Sequence, residues 1–299
     1  MSLTPGGKFR LAIENNRPLQ IVGAINPYCA MMAQQLGHQA IYLSGAGVAN
    51  ASYGLPDLGI TTLNDVLMDV ERITNACDLP LLVDIDTGFG GDFALTRTIQ
   101  LLEKAGAAAV HIEDQVVQKR CGHRPNKAIV SQQEMIERLS IAVAARQDSD
   151  FVIMARTDAL AVDGMDAAIE RAIAYVNAGA DMLFPEAMTD INQYQQFSQA
   201  IEAQLGRRIP ILANMTEFGQ TPLYSLGQLS QAHVAMVLYP LSAFRAMNKA
   251  AETVYRHLRE HGQQQELLPS MQTRQELYEY LNYLSYEQQQ DQQRNISAK

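Results

Sequence analysis

Eight short apolar runs recur along this chain and alternate with stretches of helical period. Within each run the apolar residues occupy consecutive positions, as in strands that are buried on both faces of a parallel sheet. The predicted strands are Leu19–Gly23, Ala40–Ser44, Pro80–Asp84, Ala109–Glu113, Phe151–Arg156, Met182–Pro185, Ile209–Ala213 and Ala235–Tyr239. Eight strands that alternate with helices predict a (β/α)8 barrel, and the alternative is an open doubly wound sheet.

The stretches between the runs carry helix signals. Apolar residues recur at helical spacing over 63–73, 169–176 and 244–258. Ser131 and Glu134 have capping-box spacing, which predicts a helix that begins there and continues through Val143. Glycine follows three of the helical stretches, where a left-handed residue is favoured, at Gly37, Gly106 and Gly179.

The pattern changes after Leu258. Residues 261–272 are polar and rich in glutamine, Thr273–Leu284 has the apolar spacing of one more helix, and residues 286–299 are predicted to form a disordered polar tail. No linker is long enough to separate independent domains. We therefore expect one barrel domain over residues 1–285 that includes the C-terminal helical segment.

Charge and cysteine content exclude several classes of protein. The chain has 23 Lys and Arg against 32 Asp and Glu, a net charge of −9, which disfavours binding to nucleic acid or to an anionic membrane. Three widely separated cysteines form neither a disulfide framework nor a zinc motif. The first residues lack the apolar region of a signal peptide, so a cytoplasmic protein is expected.

Polar side chains follow the predicted strands, where a barrel of this kind places its chemistry. Asp84 and Asp86 are two residues apart at a strand end and point to the same side, and Glu113 ends the next strand. Oxygen ligands without a nearby Cys or His pair favour Mg²⁺ or Mn²⁺. The alternative is that Asp86 caps the glycine loop 88–91, which is itself interpreted as a turn, and that Asp84 is a solvated acid.

A long connection, residues 114–130, carries Lys119-Arg120-Cys121-Gly122-His123-Arg124. Connections of this length are often active-site lids. Positive charge around Cys121 would lower the pKa of its thiol and make it a reactive thiolate or a proton donor. The alternative is an exposed basic loop with an incidental cysteine. Cys29, Cys77 and His111 are interpreted as core residues.

Four segments resemble the isocitrate lyase and phosphoenolpyruvate mutase superfamily. They are KRCGHRPNKAIV (119–130), YLSGAGV (42–48), FVIMARTDALAV (151–162) and YPLSAFRAMN (239–248), and the resemblance extends from about residue 8 to about residue 285. The compact chain and the segment Asn214–Gly219 favour the members that cleave a methylated isocitrate. The resemblance implies a modified barrel whose last helix is exchanged between subunits, in a homotetramer built as a dimer of dimers.

The resemblance also implies a role for each site residue. Asp84 and Asp86 would hold Mg²⁺, with Asp57 and Glu113 in the outer shell, and Cys121 would be the general acid. The part of the substrate that becomes pyruvate would be bound by Ser44, Gly45, Ala46 and Arg156. The part that becomes succinate would be bound by Gly122, His123, Glu186, Asn214, Thr216 and Arg245. Arg274 would close the site. Family members often have Gly where this chain has Ala46, whose methyl group would crowd the pyruvate side.

The implied reaction is a magnesium-dependent retro-aldol cleavage of a tricarboxylic 2-hydroxy acid to pyruvate and succinate, a step of propionate catabolism. The base that removes the hydroxyl proton is Tyr42, a metal-bound hydroxide or an outer-shell carboxylate. Other readings are an isocitrate lyase or oxaloacetate decarboxylase of the same superfamily, a hydrolase with Cys121 as nucleophile, and a barrel that only binds dicarboxylates.

Overall fold

The structure is a computed structural model that describes residues 3–297, which divide into a unit ending at Phe244 and a unit beginning at Arg245. The first unit contains eight parallel strands. They are β1 (Leu19–Gly23), β2 (Ile41–Leu43), β3 (Leu81–Asp84), β4 (Ala109–Glu113), β5 (Val152–Thr157), β6 (Met182–Pro185), β7 (Leu212–Asn214) and β8 (Met236–Tyr239). The eight predicted strands are therefore confirmed, with end shifts of up to three residues.

The sheet closes on itself almost completely. Strands are hydrogen-bonded in the order β6-β5-β4-β3-β2-β1-β8-β7. The two end strands meet through a parallel bridge between Leu183 and Ile211, where Leu183 N donates to Pro210 O at 3.0 Å. Pro210 has no N–H to donate in return, which accounts for the late start of β7 at Leu212. The prediction of a (β/α)8 barrel is confirmed, and the open sheet is wrong.

Helices follow the strands along the chain. In the first unit they are α1 (Pro5–Asn15), α2 (Pro27–Gln35), α3 (Gly45–Gly47), α4 (Leu63–Ala76), α5 (Asp92–Lys104), α6 (Gln132–Ala145), α7 (Ala159–Asp163), α8 (Met165–Asn177), α9 (Ile191–Leu205) and α10 (Leu226–Gln231), with a π-helical turn at Val48–Ser52. Ser131 Oγ accepts the Glu134 N–H at 3.1 Å, so the predicted cap of α6 is confirmed. Gly37, Gly106 and Gly179 all have positive φ after their helices, as predicted.

Side chains alternate along each strand and so divide between two hydrophobic cores. One core lies between the sheet and the helices, and the other fills the barrel interior with inward residues such as Ile21, Leu82, Met154 and Leu238. Because side chains alternate along a strand, the residue two positions after an inward apolar residue also points inward. Phe9 of α1 packs with this interior cluster and helps to cover the amino end of the barrel.

The second unit is helical. α11 (Ser242–His261) begins in the first unit, and a 3₁₀ turn (Gln265–Ser270), α12 (Arg274–Leu281) and α13 (Tyr283–Ser297) follow. Left-handed Asn282 divides the predicted helix Thr273–Leu284. α13 extends to Ser297 through a segment rich in Gln and Glu, which favour helix, and the predicted disorder of the polar tail stays a prediction. Residues 298 and 299 lie outside the described residues, and the single domain over 1–285 stays a prediction.

Over the described residues, none of the helices combines the length and the apolar character that a membrane crossing requires.

Candidate active site

An acidic pair lies at the carboxyl end of β3. Asp84 Oδ2 accepts the backbone N–H of Gly45 at 3.0 Å, and Asp84 Oδ1 accepts that of Asp86 at 3.1 Å. Asp86 has a left-handed backbone, with φ of 47°, which turns its carboxylate back beside Asp84. A side chain added at Gly45 would be 3.1 Å from Asp84 Oδ2, so glycine is what lets the β2 end approach the acids. Both predicted ligands are therefore buried side by side at the barrel mouth.

The charge of this pair is incompletely balanced. Burial and the charge of Asp84 raise the pKa of Asp86 to about 6. Burial would also raise the pKa of Asp84, but the positive charges of His111 (protonated at low pH), Lys119 and Arg156 lower it to about 2. Burial raises the pKa of Glu113 well above its usual range, and within the described residues its Oε1 has no hydrogen-bond partner. Lys119 Nζ is the nearby cation, 2.7 Å from Asp86 Oδ1 and also paired with Asp57.

This donor set fits a hard divalent cation. It consists of carboxylate oxygens, and Mg²⁺ typically takes only one or two carboxylates and keeps several waters. Among the residues that the structure describes, no group of three or more His, Cys, Asp and Glu side chains has the arrangement to hold a metal by itself. Asp84 and Asp86 are adjacent carboxylates that could serve as two direct ligands, and the outer-shell roles of Glu113 and Asp57 stay predictions.

Tyr42 and His111 lie directly below the acids, inside the barrel. Tyr42 OH is 2.9 Å from His111 Nε2 and 3.4 Å from Asp84 Oδ2. Burial raises the pKa of Tyr42 well above its usual range and lowers the pKa of His111 to about 4, so both side chains are neutral at pH 7. His111 is buried as predicted, but it supports the site and is not a simple core residue.

Arg156, near the end of β5 and two strands from β3, is the centre of a second charged group at the mouth. Its Nε lies 3.0 Å from Asp158 Oδ2 and 3.3 Å from Glu113 Oε2, and its Nη1 lies 3.4 Å from Glu186 Oε2. The guanidinium also stacks 5.2 Å from the ring centroid of Phe184. Burial would raise the pKa of Glu186, but the charge of Arg156, the hydrogen bond and charge of His123 and the charge of Lys127 together hold that pKa well below the usual range.

The connection 114–130 lies over this mouth. A Cβ at Gly122 would be 2.5 Å from both Arg156 Nη2 and Glu186 Cγ, so only glycine fits there. The connection is also held at its base, where Gln115 forms paired hydrogen bonds with the backbone of Arg120, at 2.9 and 3.0 Å. The prediction that this connection covers the site is confirmed in position.

His123 is oriented by hydrogen bonds on both ring nitrogens. Its Nδ1 accepts the backbone N–H of Gln220 at 3.0 Å, so Nε2 is the nitrogen that carries hydrogen. Nε2 faces Glu186 Oε1 at 3.2 Å. Asn214, at the end of β7, directs its Nδ2 to the same carboxylate at 3.4 and 3.5 Å. His123, Glu186 and Asn214 thus form one polar group, in which the donors of His123 and Asn214 converge on the Glu186 carboxylate.

The expectation that positive charge lowers the pKa of Cys121 is wrong. Lys119 is paired with Asp57 and Asp86, so its charge is already balanced. Part of the Cys121 side chain is accessible to solvent, yet surrounding protein atoms desolvate the thiol, and this burial, with the charges of Asp57 and Glu186, raises the thiol pKa. The thiol therefore carries its proton at neutral pH, which suits a proton donor and opposes a thiolate nucleophile.

The remaining predicted residues divide between the two units. Ser44 and Thr216 are buried at the strand ends, and Ala46 lies within α3. Arg245 and Arg274 belong to the second unit, so their predicted roles stay predictions. Sequence reasoning includes Asp158 among the polar residues just past the strand ends but assigns it no role, and it does not identify Lys127 or Gln220 as site residues. Two sequence signals point to these residues: Lys127 lies within the KRCGHRPNKAIV segment, and Asp158 comes directly after a strand end.

Comparison with known proteins agrees with this geometry. Residues 9–259 match the family described as phosphoenolpyruvate phosphomutase. The 2-methylisocitrate lyase of Vibrio cholerae is 75% identical over 98% of this chain and 95% of its own length, and that of Escherichia coli is 62% identical over 97% of each.

Solved structures agree as well. 2,3-Dimethylmalate lyase superposes with a TM-score of 0.87 at 33% identity, over 98% of this chain and 96% of that one. Phosphonopyruvate hydrolase in complex with oxalate and Mg²⁺ superposes with a TM-score of 0.82 at 28% identity, over 99% of each chain. The chain belongs to the phosphoenolpyruvate phosphomutase family, and curated 2-methylisocitrate lyases are among its relatives.

Proposed function

We propose that the chain is a carbon–carbon lyase that cleaves 2-methylisocitrate to pyruvate and succinate. The observation that carries this proposal is the placement of Cys121-Gly122-His123 over an arginine and a carboxylate pair at one barrel mouth, with Gly122 packed against Arg156 and Glu186. Two relatives that are named 2-methylisocitrate lyase are 62% and 75% identical to this chain over nearly its whole length.

Mg²⁺ is the proposed cofactor, with Mn²⁺ as a possible substitute. The oxygen donors of Asp84 and Asp86 suit it, and a related phosphonopyruvate hydrolase was solved with Mg²⁺. When bound, Mg²⁺ supplies polarisation of the substrate hydroxyl and its neighbouring carboxylate, which makes the hydroxyl more acidic.

Two sets of residues bind the two halves of the substrate. Arg156 offers a guanidinium to the carboxylate of the pyruvate half, beside Ser44 and Gly45 at the end of β2. The polar group of His123, Glu186 and Asn214 faces the succinate half, with Arg245 proposed to join it. Hydrogen-bond donors that are already fixed stabilise the negative charge that develops there as the C–C bond breaks.

Two proton transfers complete the reaction. A base takes the hydroxyl proton, the C–C bond breaks to form the pyruvate carbonyl, and the electron pair moves into the succinate fragment. The S–H bond of Cys121 then breaks and a C–H bond forms on that fragment, after which the base releases its proton to solvent and the thiolate takes one up. Because burial raises the pKa of Tyr42, its phenol keeps its proton at pH 7, which disfavours Tyr42 as the base and leaves a metal-bound hydroxide or an outer-shell carboxylate for the first transfer.

A product assay tests the function. Purified enzyme with Mg²⁺ should release pyruvate from 2-methylisocitrate at least about tenfold more efficiently, in kcat/KM, than it releases glyoxylate from isocitrate, because one methyl group in a fitted pocket contributes roughly this much. Equal or greater glyoxylate release would assign the chain to the isocitrate lyases, and binding of succinate without turnover would leave only a binding protein.

A homotetramer with an exchanged C-terminal helix is also proposed. α11 has an apolar stripe that includes Met247, Val254 and Leu258, yet none of its residues is buried within the chain. An amphipathic helix whose apolar stripe is not buried within its own chain favours association with another subunit. Light scattering should give about four times the 33.1 kDa chain mass, and a monomer at micromolar concentration would contradict the proposal. Cytoplasmic location and a role in propionate catabolism stay predictions.

A further inference from the structure

Lys127 has a buried ammonium group on the returning limb of the connection. Its side chain is 2% exposed, and Nζ lies 2.7 Å from the carbonyl oxygen of Gly122 and 2.6 Å from Asp158 Oδ1. A buried charge is unfavourable unless it is paired and hydrogen-bonded, so this geometry is strongly specified. The carbonyl that it holds belongs to the peptide that links Gly122 to His123, the centre of the Cys121-Gly122-His123 segment.

Asp158 connects this lysine to the substrate side of the mouth. Its other oxygen, Oδ2, accepts Arg156 Nε at 3.0 Å, so one carboxylate orients both cations. The Asp158 backbone is itself fixed, since its N–H donates to Asp114 Oδ1 at 2.9 Å. Asp114 is buried and also accepts Thr157 Oγ1 at 2.7 Å. The hydrogen bonds that hold Lys127 are therefore supported by residues that follow two neighbouring strands, β4 and β5.

We propose that Lys127 is a positioning residue for proton delivery. Through its hydrogen bonds to Gly122 O and Asp158, it keeps the Cys121 thiol aligned with the substrate bound at Arg156. The inference rests on the proposed function and extends it to a residue outside the reacting groups. Lys127 touches neither the metal ligands nor the thiol, so it acts through the main chain of the connection.

The key comparison is between Lys127→Met and Lys127→Arg. Methionine keeps length and volume and removes both hydrogen bonds, while arginine keeps the charge and donors. We expect kcat of Lys127→Met to fall about a hundredfold with KM changed less than about threefold, because small misplacement of a reacting group has this effect. Lys127→Arg should regain at least about a tenth of the wild-type kcat, and Lys104→Met, at an exposed site, should match wild type.

A solvent isotope effect distinguishes positioning from loss of folded enzyme. If proton delivery becomes rate-limiting in Lys127→Met, the ratio of kcat in H₂O to kcat in D₂O should rise above the wild-type ratio. A smaller fraction of folded enzyme would lower kcat and leave that ratio unchanged, and this result would overturn the proposal.

Alkylation of Cys121 by iodoacetamide is a readout that does not depend on turnover. Loss of a charge-assisted hydrogen bond should increase the opening of the connection, and with it the alkylation rate, by at least about tenfold in Lys127→Met. Peptide mass analysis separates Cys121 from the buried Cys29 and Cys77. An unchanged rate would overturn the proposal even if the wild-type enzyme proved to cleave a different substrate. If Lys127→Met does not fold, Lys127→Gln supplies the same uncharged comparison.

Discussion

Replacement of Cys121 by alanine or serine should lower kcat by more than about a hundredfold, the low end of the contribution of a general acid. Alanine removes the proton, and the much weaker acidity of a serine hydroxyl makes it a poor substitute. The raised pKa of the thiol supports this assignment, since the thiol holds its proton at the pH at which the enzyme works.

The pH dependence has a definite sign. The protonated thiol is the active form, so activity should be retained at neutral pH and fall as the pH rises through the thiol pKa. That pKa is raised above its ordinary value of about 8.5, so the alkaline limb of the kcat profile should lie above that pH. An alkaline limb near pH 6 or 7 would instead indicate a reactive thiolate.

Cys77→Ser is the matched control for the Cys121 variants. Cys77 is buried, and its Sγ lies 3.5 Å from Ala30 O, a contact that a serine hydroxyl can keep. This variant should turn over at the wild-type rate. Near-normal cleavage by Cys121→Ala, measured as pyruvate release in the steady state, would remove Cys121 from the mechanism.

Removal of divalent cations by EDTA should abolish turnover, and added Mg²⁺ should restore it. The physical reason is the buried acid pair, in which Asp84 is ionised and the pKa of Asp86 is raised to about 6 because burial and the negative charge of Asp84 both disfavour a second charge there. A bound dication would stabilise both charges together. Full activity in metal-free enzyme would contradict the assignment of Asp84 and Asp86 as ligands.

Direct binding measurements separate the metal from the chemistry. Calorimetric titration with Mn²⁺ should show weaker binding to Asp86→Asn than to wild type by at least about tenfold, the effect of removing one negatively charged ligand at an effective dielectric constant of about 20. Because the ligand must be deprotonated, affinity should also fall as the pH drops below about 6. Asp92→Asn, an exposed position at the start of α5, should bind as wild type does.

Many of the site residues could be predicted because their positions follow from strand parity. Leu82 and Asp84, Met154 and Arg156, and Leu212 and Asn214 are pairs two residues apart, and the first member of each lies in the barrel interior. The second member must then point into the mouth. A buried apolar run followed by one polar residue is visible in the sequence itself, so these assignments did not need the structure.

Pairings across the mouth could not be predicted in this way. The charges of the 114–130 connection appear in the sequence as one basic cluster around Cys121. In the fold, Lys119 is paired with Asp57 and Asp86, and Lys127 with Asp158. The expected direction of the thiol pKa shift is wrong because carboxylates from distant segments balance these lysine charges.

The amino-acid sequence by itself determined the number and order of the strands, the barrel, and the ring of residues at its carboxyl end, because periodicity and polarity are local properties of the chain. Only the tertiary structure decided which charges neutralise each other and which nitrogen of His123 carries hydrogen. These depend on distances between segments far apart in sequence, such as His123 and Gln220, and electrostatic interactions depend steeply on distance and burial.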